Sequence, residues 1–392
     1  MPELQPEMPS FAELTLLITV KEKEKIKMDK IKFLTPIDGT MVCDKAGIIE
    51  NDALLIDITL KASAGRNITV NGFTTSDNGG FYTVKIPLTA YKNQLIARDT
   101  ETGDTTEATI YRLKNASMKY RLSLDDNIEC FKEIAKNNYK SIFDQPYLRL
   151  MKDLNEKYGT KVHANIYYCC SEFSTESSPK GSFNLSQFPD KYKGEFEEAS
   201  EWLRLSFHAF KNLPDEPYAR EDGRTYMNAY EDCAMVNEEI IRFAGEKSLS
   251  DYTTIHWCRG TKDACKAFRA NGYKYLQGGT PINYYLTDEQ FLEAVRKYGN
   301  YYDPETDLVF TTSSCMLNAA EVGPTEIPKR LDERSKQYPL NGFIDLIIHE
   351  QYFYPHFHLH RPDYRERIEA GIKWCHEHGY QPSFRSEPLK PW

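Results

Sequence analysis

Arg121-Leu122-Ser123-Leu124-Asp125-Asp126 alternates polar and apolar side chains and then closes on two adjacent carboxylates. Alternation with period two reads as a β-strand with one polar and one apolar face. Four later segments repeat the pattern. Lys161–Tyr168 sets Val162, Ala164 and Ile166 against His163, Asn165 and Tyr167. Trp202–Phe207 runs into His208 and sets Leu203, Leu205 and Phe207 against Arg204, Ser206 and His208. Thr253–Trp257 sets Ile255 and Trp257 against Thr254, His256 and Cys258, and Phe343–Ile348 sets Leu346 and Ile348 against Asp345, Ile347 and His349. Two more strands are expected at Tyr273–Gln277 and Leu308–Thr312.

Helical spacing separates these strands over Ile128–Asn137, Pro146–Lys157, Tyr226–Phe243, Thr261–Ala270, Asp288–Tyr298 and Arg361–His378. Thr287-Asp288-Glu289 is a helix start signal, and Gly379 is a stop signal. Alternating β and α elements over residues 118–392 predict an α/β fold, a parallel (β/α) barrel of TIM type with eight strands or fewer. The apolar faces are expected to pack on outer helices and the polar faces to line the barrel. Burying that many polar groups is costly unless they pair or coordinate. The simplest account is a polar site at the carboxyl ends of the strands, where Asp125, Asp126, His208, His256 and His349 converge.

Residues 29–115 have a different character. Turn signals at Asp38-Gly39, Asn71-Gly72, Asp77-Asn78-Gly79-Gly80 and Thr102-Gly103-Asp104 separate short strands at Leu54–Leu60, Asn67–Val70, Phe81–Leu88 and Gln94–Arg98. This spacing predicts an all-β sandwich. Val70-Asn71-Gly72, Gly80-Phe81, Ile86-Pro87-Leu88 and Asn93-Gln94-Leu95 resemble the immunoglobulin-like accessory modules of bacterial carbohydrate-active enzymes, which implies a spacer or docking role. Residues 1–28, with Lys21-Glu22-Lys23-Glu24-Lys25, read as a leader, disordered or a short amphipathic helix.

The chain has 392 residues, enough for two domains. Its formal charge is −9, from 49 basic and 58 acidic residues, which argues against a nucleic-acid partner. No apolar run is long enough to span a bilayer. Nine cysteines, an odd number without CxxC spacing, read as reduced thiols and, with no signal peptide apparent, point to the cytoplasm.

Carboxylate and imidazole ligands together suit zinc or another divalent transition metal. Water bound to such an ion becomes a nucleophile near neutral pH. A neighbouring carboxylate then serves as base, and a histidine across the site as acid.

Leu122-Ser123-Leu124-Asp125-Asp126-Asn127 is similar to the Asp-Asp motif of the NodB-type polysaccharide deacetylases. Leu205-Ser206-Phe207-His208 resembles the family's metal-histidine strand, Trp257-Cys258-Arg259-Gly260 its arginine motif, and Ile347-Ile348-His349-Glu350 its late catalytic strand. The resemblance spans about Met118 to Phe384. It implies Asp125 as general base, Arg259 orienting that base, Asp126 and His208 as metal ligands, and His349 as general acid. Tyr167, Trp257, Glu350 and Tyr352 are the expected substrate contacts. The implied substrate is an acetylated carbohydrate, and the implied ion is zinc, with cobalt, nickel or manganese as alternatives.

The sequence departs from the family in two places. The second metal histidine, four residues after the first, is Asn212 here, and the glycine after the Asp pair is Asn127. His256, on the inward face of its strand, is the expected replacement ligand; the alternative is a core histidine bonded to a neighbour. Two further functions stay open: a glycoside hydrolase pairing Asp125 or Asp126 with Glu350, and a carbohydrate-binding protein without metal.

Overall fold

The computed structural model describes residues 30–170, 182–279 and 282–392, so the leader reading falls outside the described residues. The strand that carries the Asp pair, Lys119–Asn127, is buried on both faces. It lies at the centre of a parallel sheet with the order Leu203–Ala209, Val162–Tyr167, Lys119–Asn127, Phe343–His349, Cys315–Met316; Gln381–Pro382 adds beside its start. Burial on both faces is the state expected of parallel strands covered by helices. One apolar core joins Leu122, Leu124, Ile166, Leu205 and Leu346 to helix residues such as Phe131, Ile134, Phe243 and Ile368.

The remaining strands form a second sheet, Tyr252–Thr253, Tyr275–Gln277 and Leu308–Thr311 in parallel, with Asn300–Asp303 antiparallel at its edge. A parallel bridge, Leu205 to Leu249, ties the first sheet to the segment just before Tyr252–Thr253. The expected single barrel therefore appears, among the described residues, as two separate sheets. In place of the strand expected at Thr253–Trp257 the chain has the two-residue strand Tyr252–Thr253, followed by a turn in which Trp257 and Cys258 adopt left-handed backbone, φ +63° and +51°. That conformation ends a ladder. It also turns Trp257, expected against an outer helix, out to 55% exposure.

Helix boundaries follow local chemistry. Glu129–Asn137 ends at Asn138, whose φ of +50° suits an asparagine C-cap. Pro146–Tyr158 begins with proline in its first turn and ends at Gly159, φ +68°. The last helix starts at Tyr364 rather than Arg361 and ends at Glu377.

In the N-terminal part, Lys32–Thr35, Ala53–Lys61, Phe81–Leu88 and Ser76–Asp77 form one sheet, with Gly47–Glu50 on Ala53–Lys61. Met41–Cys43, Thr105–Leu113, Lys92–Asp99, Ile68–Val70 and Phe73–Thr74 form another. Alternate residues Ile56, Ile58 and Leu60 meet Val70, Leu95, Ala97 and Ile110 in a shared core. Tyr298 of the C-terminal part joins that core, and its hydroxyl lies 3.2 Å from Thr35 Oγ1.

Candidate metal centre

Two adjacent residues of a regular strand point to opposite faces. Asp125 and Asp126 escape this rule because the register against Val162–Tyr167 slips between Leu124 and Asn127, a bulge in which Asp126 has φ +64°. Asp125 remains in register beside His349. Asp126 swings toward His208, at the end of its strand, and His256, in the turn that replaced the fourth strand.

Three atoms converge there. Asp126 Oδ1 lies 3.0 Å from His208 Nε2 and 3.4 Å from His256 Nδ1, and the two nitrogens are 3.2 Å apart. A metal with bonds of about 2.0–2.1 Å sets neighbouring tetrahedral ligands roughly 3.3 Å apart. The three separations match that spacing.

The far nitrogen of each imidazole faces a backbone carbonyl, His208 Nδ1 at 2.5 Å from Thr254 O and His256 Nε2 at 3.1 Å from Asn212 O. A carbonyl only accepts, so the proton of each neutral ring is assigned to that nitrogen. The converging nitrogens then carry lone pairs, the arrangement that backbone tethers give to metal-binding histidines. Position 212 lacks an imidazole, but its carbonyl orients His256.

Burial works against the Asp126 charge, yet the His208 and His256 rings set against it and the charge of His349 hold its carboxyl well below the usual range. Burial likewise opposes a charged His208, but Asp126 outweighs it and raises the imidazole pKa. Asp126 Oδ2 accepts from Gln351 Nε2 at 2.7 Å, and Gln351 Oε1 is buried with no partner. Tyr167, expected to touch substrate, is buried. Its hydroxyl donates to Asp126 Oδ1 and lies 3.0 Å from His256 Nδ1.

Among the described residues, hydrogen bonds to the Asp125 carboxylate reach Oδ1 alone, from Asn165 Nδ2 at 2.6 Å and Ser123 Oγ at 3.3 Å. His349 Nδ1 lies 3.0 Å from Asn318 Oδ1, an acceptor, and Nε2 has no hydrogen-bond partner among the described residues. Deeper on the same strands, Arg121 pairs with Asp345 at 2.9 Å and contacts His163 Nδ1 at 2.5 Å and Gln277 Oε1. His163, expected to be structural, is held by burial and by the Arg121 charge well below the usual imidazole range.

No family model and no curated protein matches this chain. Among solved structures, a Streptococcus mutans CE4 esterase is similar at 11% identity and TM-score 0.36, covering 69% of this chain and 86% of that one. A 4-alpha-glucanotransferase from Thermococcus litoralis is similar at 10% identity and TM-score 0.45, over 70% of this chain and 41% of that one. A Ruminococcus gnavus beta-glucuronidase is similar at 10% identity and TM-score 0.24, over 81% of this chain and 61% of that one. At these TM-scores the likenesses carry no argument about fold or chemistry, and the site is read from its own geometry.

Three of the residues expected at the site lie apart from the cluster. Arg259 is half-exposed and sits 3.6 Å from Glu216, with no hydrogen bond to Asp125. The buried Glu350 accepts from the backbone N–H groups of Ile128, Glu129 and Cys130 at 2.6, 2.9 and 2.7 Å, capping the Glu129–Asn137 helix. Burial raises its carboxyl to about 7. A carboxylate so engaged is not placed to form an acid–base pair on a glycosidic bond. Tyr352 packs on Phe357, its ring centroid 5.0 Å away, with the His349 ring 6.1 Å away.

Trp257 stands beside His256 with its ring centroid 5.7 Å away. Gln351 and Asn318 escape a reading by alternation because they lie in the turns that follow Phe343–His349 and Cys315–Met316.

Proposed function

We propose that this chain is a metal-dependent hydrolase that removes an N- or O-acetyl group from a carbohydrate. The observation that carries the reading is the convergence of one carboxylate oxygen and two imidazole lone pairs on a common point, each imidazole tethered through its other nitrogen. Asp126, His208 and His256 would hold the ion. The donor set suits zinc, cobalt, nickel or manganese. A bound ion supplies Lewis acidity and brings the pKa of water near neutrality.

The chain's own residues do the proton work. Asp125, held through Oδ1, accepts the proton of the attacking water at Oδ2. His349 donates from Nε2 to the departing amine or alcohol while Asn318 holds Nδ1. The exposed indole of Trp257 and the ring of Tyr352 offer apolar faces suited to a sugar ring. The two-sheet N-terminal part serves in this reading as an immunoglobulin-like accessory module.

The test is acetate release from N-acetylated and O-acetylated oligosaccharides by chelator-stripped protein, before and after reloading with each divalent ion. Metal-restored release that Asp125→Asn abolishes, with metal content unchanged, is the expected result. Absence of stoichiometric metal under every condition overturns the mechanism.

A further inference from the structure

The donors at this site do not stop at three. Tyr167 ends the Val162–Tyr167 strand, and its ring stands between the two histidines, with centroids 5.2 Å from His208 and 5.4 Å from His256. Its hydroxyl oxygen is 3.0 Å from His256 Nδ1, the spacing of neighbouring ligands, and shares a proton with Asp126 Oδ1. The other side of that hydroxyl is 3.3 Å from Asn212 Oδ1, so the side chain at the position of the missing histidine faces the phenol. Asp126 Oδ2 is taken by Gln351, which leaves Oδ1 as the single carboxylate oxygen turned to the cluster.

We propose that Tyr167 is the fourth protein ligand of the metal, giving a donor set of one carboxylate oxygen, one phenol oxygen and two imidazole nitrogens. This inference rests on the metal-centre reading above and changes what the centre prefers. Four protein donors fill a tetrahedral zinc ion and leave it no open position, whereas catalysis requires one. An ion that takes five or six ligands, such as iron, manganese or cobalt, keeps one or two positions for water and substrate. On binding, the phenol proton leaves to solvent and its oxygen bonds the ion.

A phenol oxygen bound to ferric iron gives a visible charge-transfer band, which carboxylate and imidazole ligands do not. The experiment loads chelator-stripped protein with ferrous ion without oxygen, admits air to oxidise it, and reads three quantities: iron per chain, visible absorbance, and resonance Raman modes of a tyrosine ring. The native chain is expected to bind one iron, to be coloured, and to show ring modes that shift when the protein is grown with ring-deuterated tyrosine. Tyr167→Phe is expected to keep the fold by circular dichroism, to bind iron at least about 10-fold more weakly, and to be colourless. Asp126→Asn is expected to lose both iron and colour.

Iron bound without ring modes, or unchanged colour and affinity in Tyr167→Phe, overturns the Tyr167 assignment and leaves the three-ligand hydrolase standing. Colour that persists in Asp126→Asn puts the iron elsewhere and also overturns it. A native chain that binds no iron, zinc or manganese sinks both readings together. Should Tyr167→Phe not fold, the isotope shift in the native chain decides alone.

Discussion

Two buried polar clusters share the strands Lys119–Asn127 and Val162–Tyr167, and they are finished differently. The lower one contains Arg121, Asp345, His163 and Gln277. Its carboxylate faces a guanidinium, and the chain itself supplies the cation. The upper one contains Asp126, His208, His256 and Tyr167. It gathers a carboxylate, two imidazole lone pairs and a phenol, with no lysine or arginine among them. A buried charge must be paired; the lower cluster is complete as folded, whereas in the proposed reading the upper one, where the His208 imidazole stands against Asp126, would be completed by a cation from outside. The difference lies in whether the chain supplies a guanidinium to its buried carboxylate.

The largest effect is expected from breaking the complete cluster. Arg121→Met takes from Asp345 its hydrogen-bonded counter-charge, leaving nearby only the Arg385 guanidinium, which is not bonded to it, and is expected to cost about 3–5 kcal/mol in urea unfolding at neutral pH. Adding Asp345→Leu should recover most of that loss. If the single variant unfolds like the native chain, the lower cluster is not the structural one. The upper cluster is expected to respond in the opposite way. Asp126→Asn keeps the shape and the left-handed backbone, so stability in chelator should be nearly unchanged, while metal affinity measured by competition falls more than about 100-fold.

Glu350 sharpens the comparison from outside both clusters. Glu350→Gln leaves one acceptor oxygen for three backbone donors and is expected to cost about 2 kcal/mol by thermal unfolding. The Glu350 carboxyl is raised from 4.5 to about 7, so between those values the folded chain binds more protons than the unfolded one. The stability tied to this group is present below pH 4.5 and is lost as pH rises through about 7. Glu350→Gln should flatten that slope, and an unchanged slope would assign it to another group. The smallest effect is expected at Arg259. Its half-exposed pairing with Glu216 should contribute less than about 1 kcal/mol, and Arg259→Ala should leave metal affinity untouched.

Alternation made much of this legible. Arg121, Ser123, Asp125, His163, Asn165, Ser206, His208 and Asp345 were all assigned inward from period two, and all are buried. The N-terminal strands Ala53–Lys61, Phe81–Leu88 and Lys92–Asp99 follow from their turn signals to within two residues. What escaped lies where periodicity stops. Trp257 and Cys258 leave the extended region, so the fourth strand ended early and Trp257 turned outward. Gln351 and Asn318 sit in turns, whose side-chain directions no short repeat encodes. The partners of Arg259 and Glu350 depend on the Glu216 loop and on the N-terminus of Glu129–Asn137, contacts made across 43 and more than 200 residues of chain.

The bulge at Asp126 restricts which residues the position will accept. A φ of +64° is comfortable for glycine, asparagine and aspartate, and costs other residues roughly 1–2 kcal/mol. Of those three, only aspartate brings an anionic donor. In the proposed reading position 126 is therefore constrained twice, once by the backbone and once by the ion it would hold. An effort to retune the centre by placing histidine, cysteine or glutamate there would meet the backbone before it met the metal. Variation in the ligand set is more accessible at Tyr167, His208 and His256, whose backbones carry no such restriction.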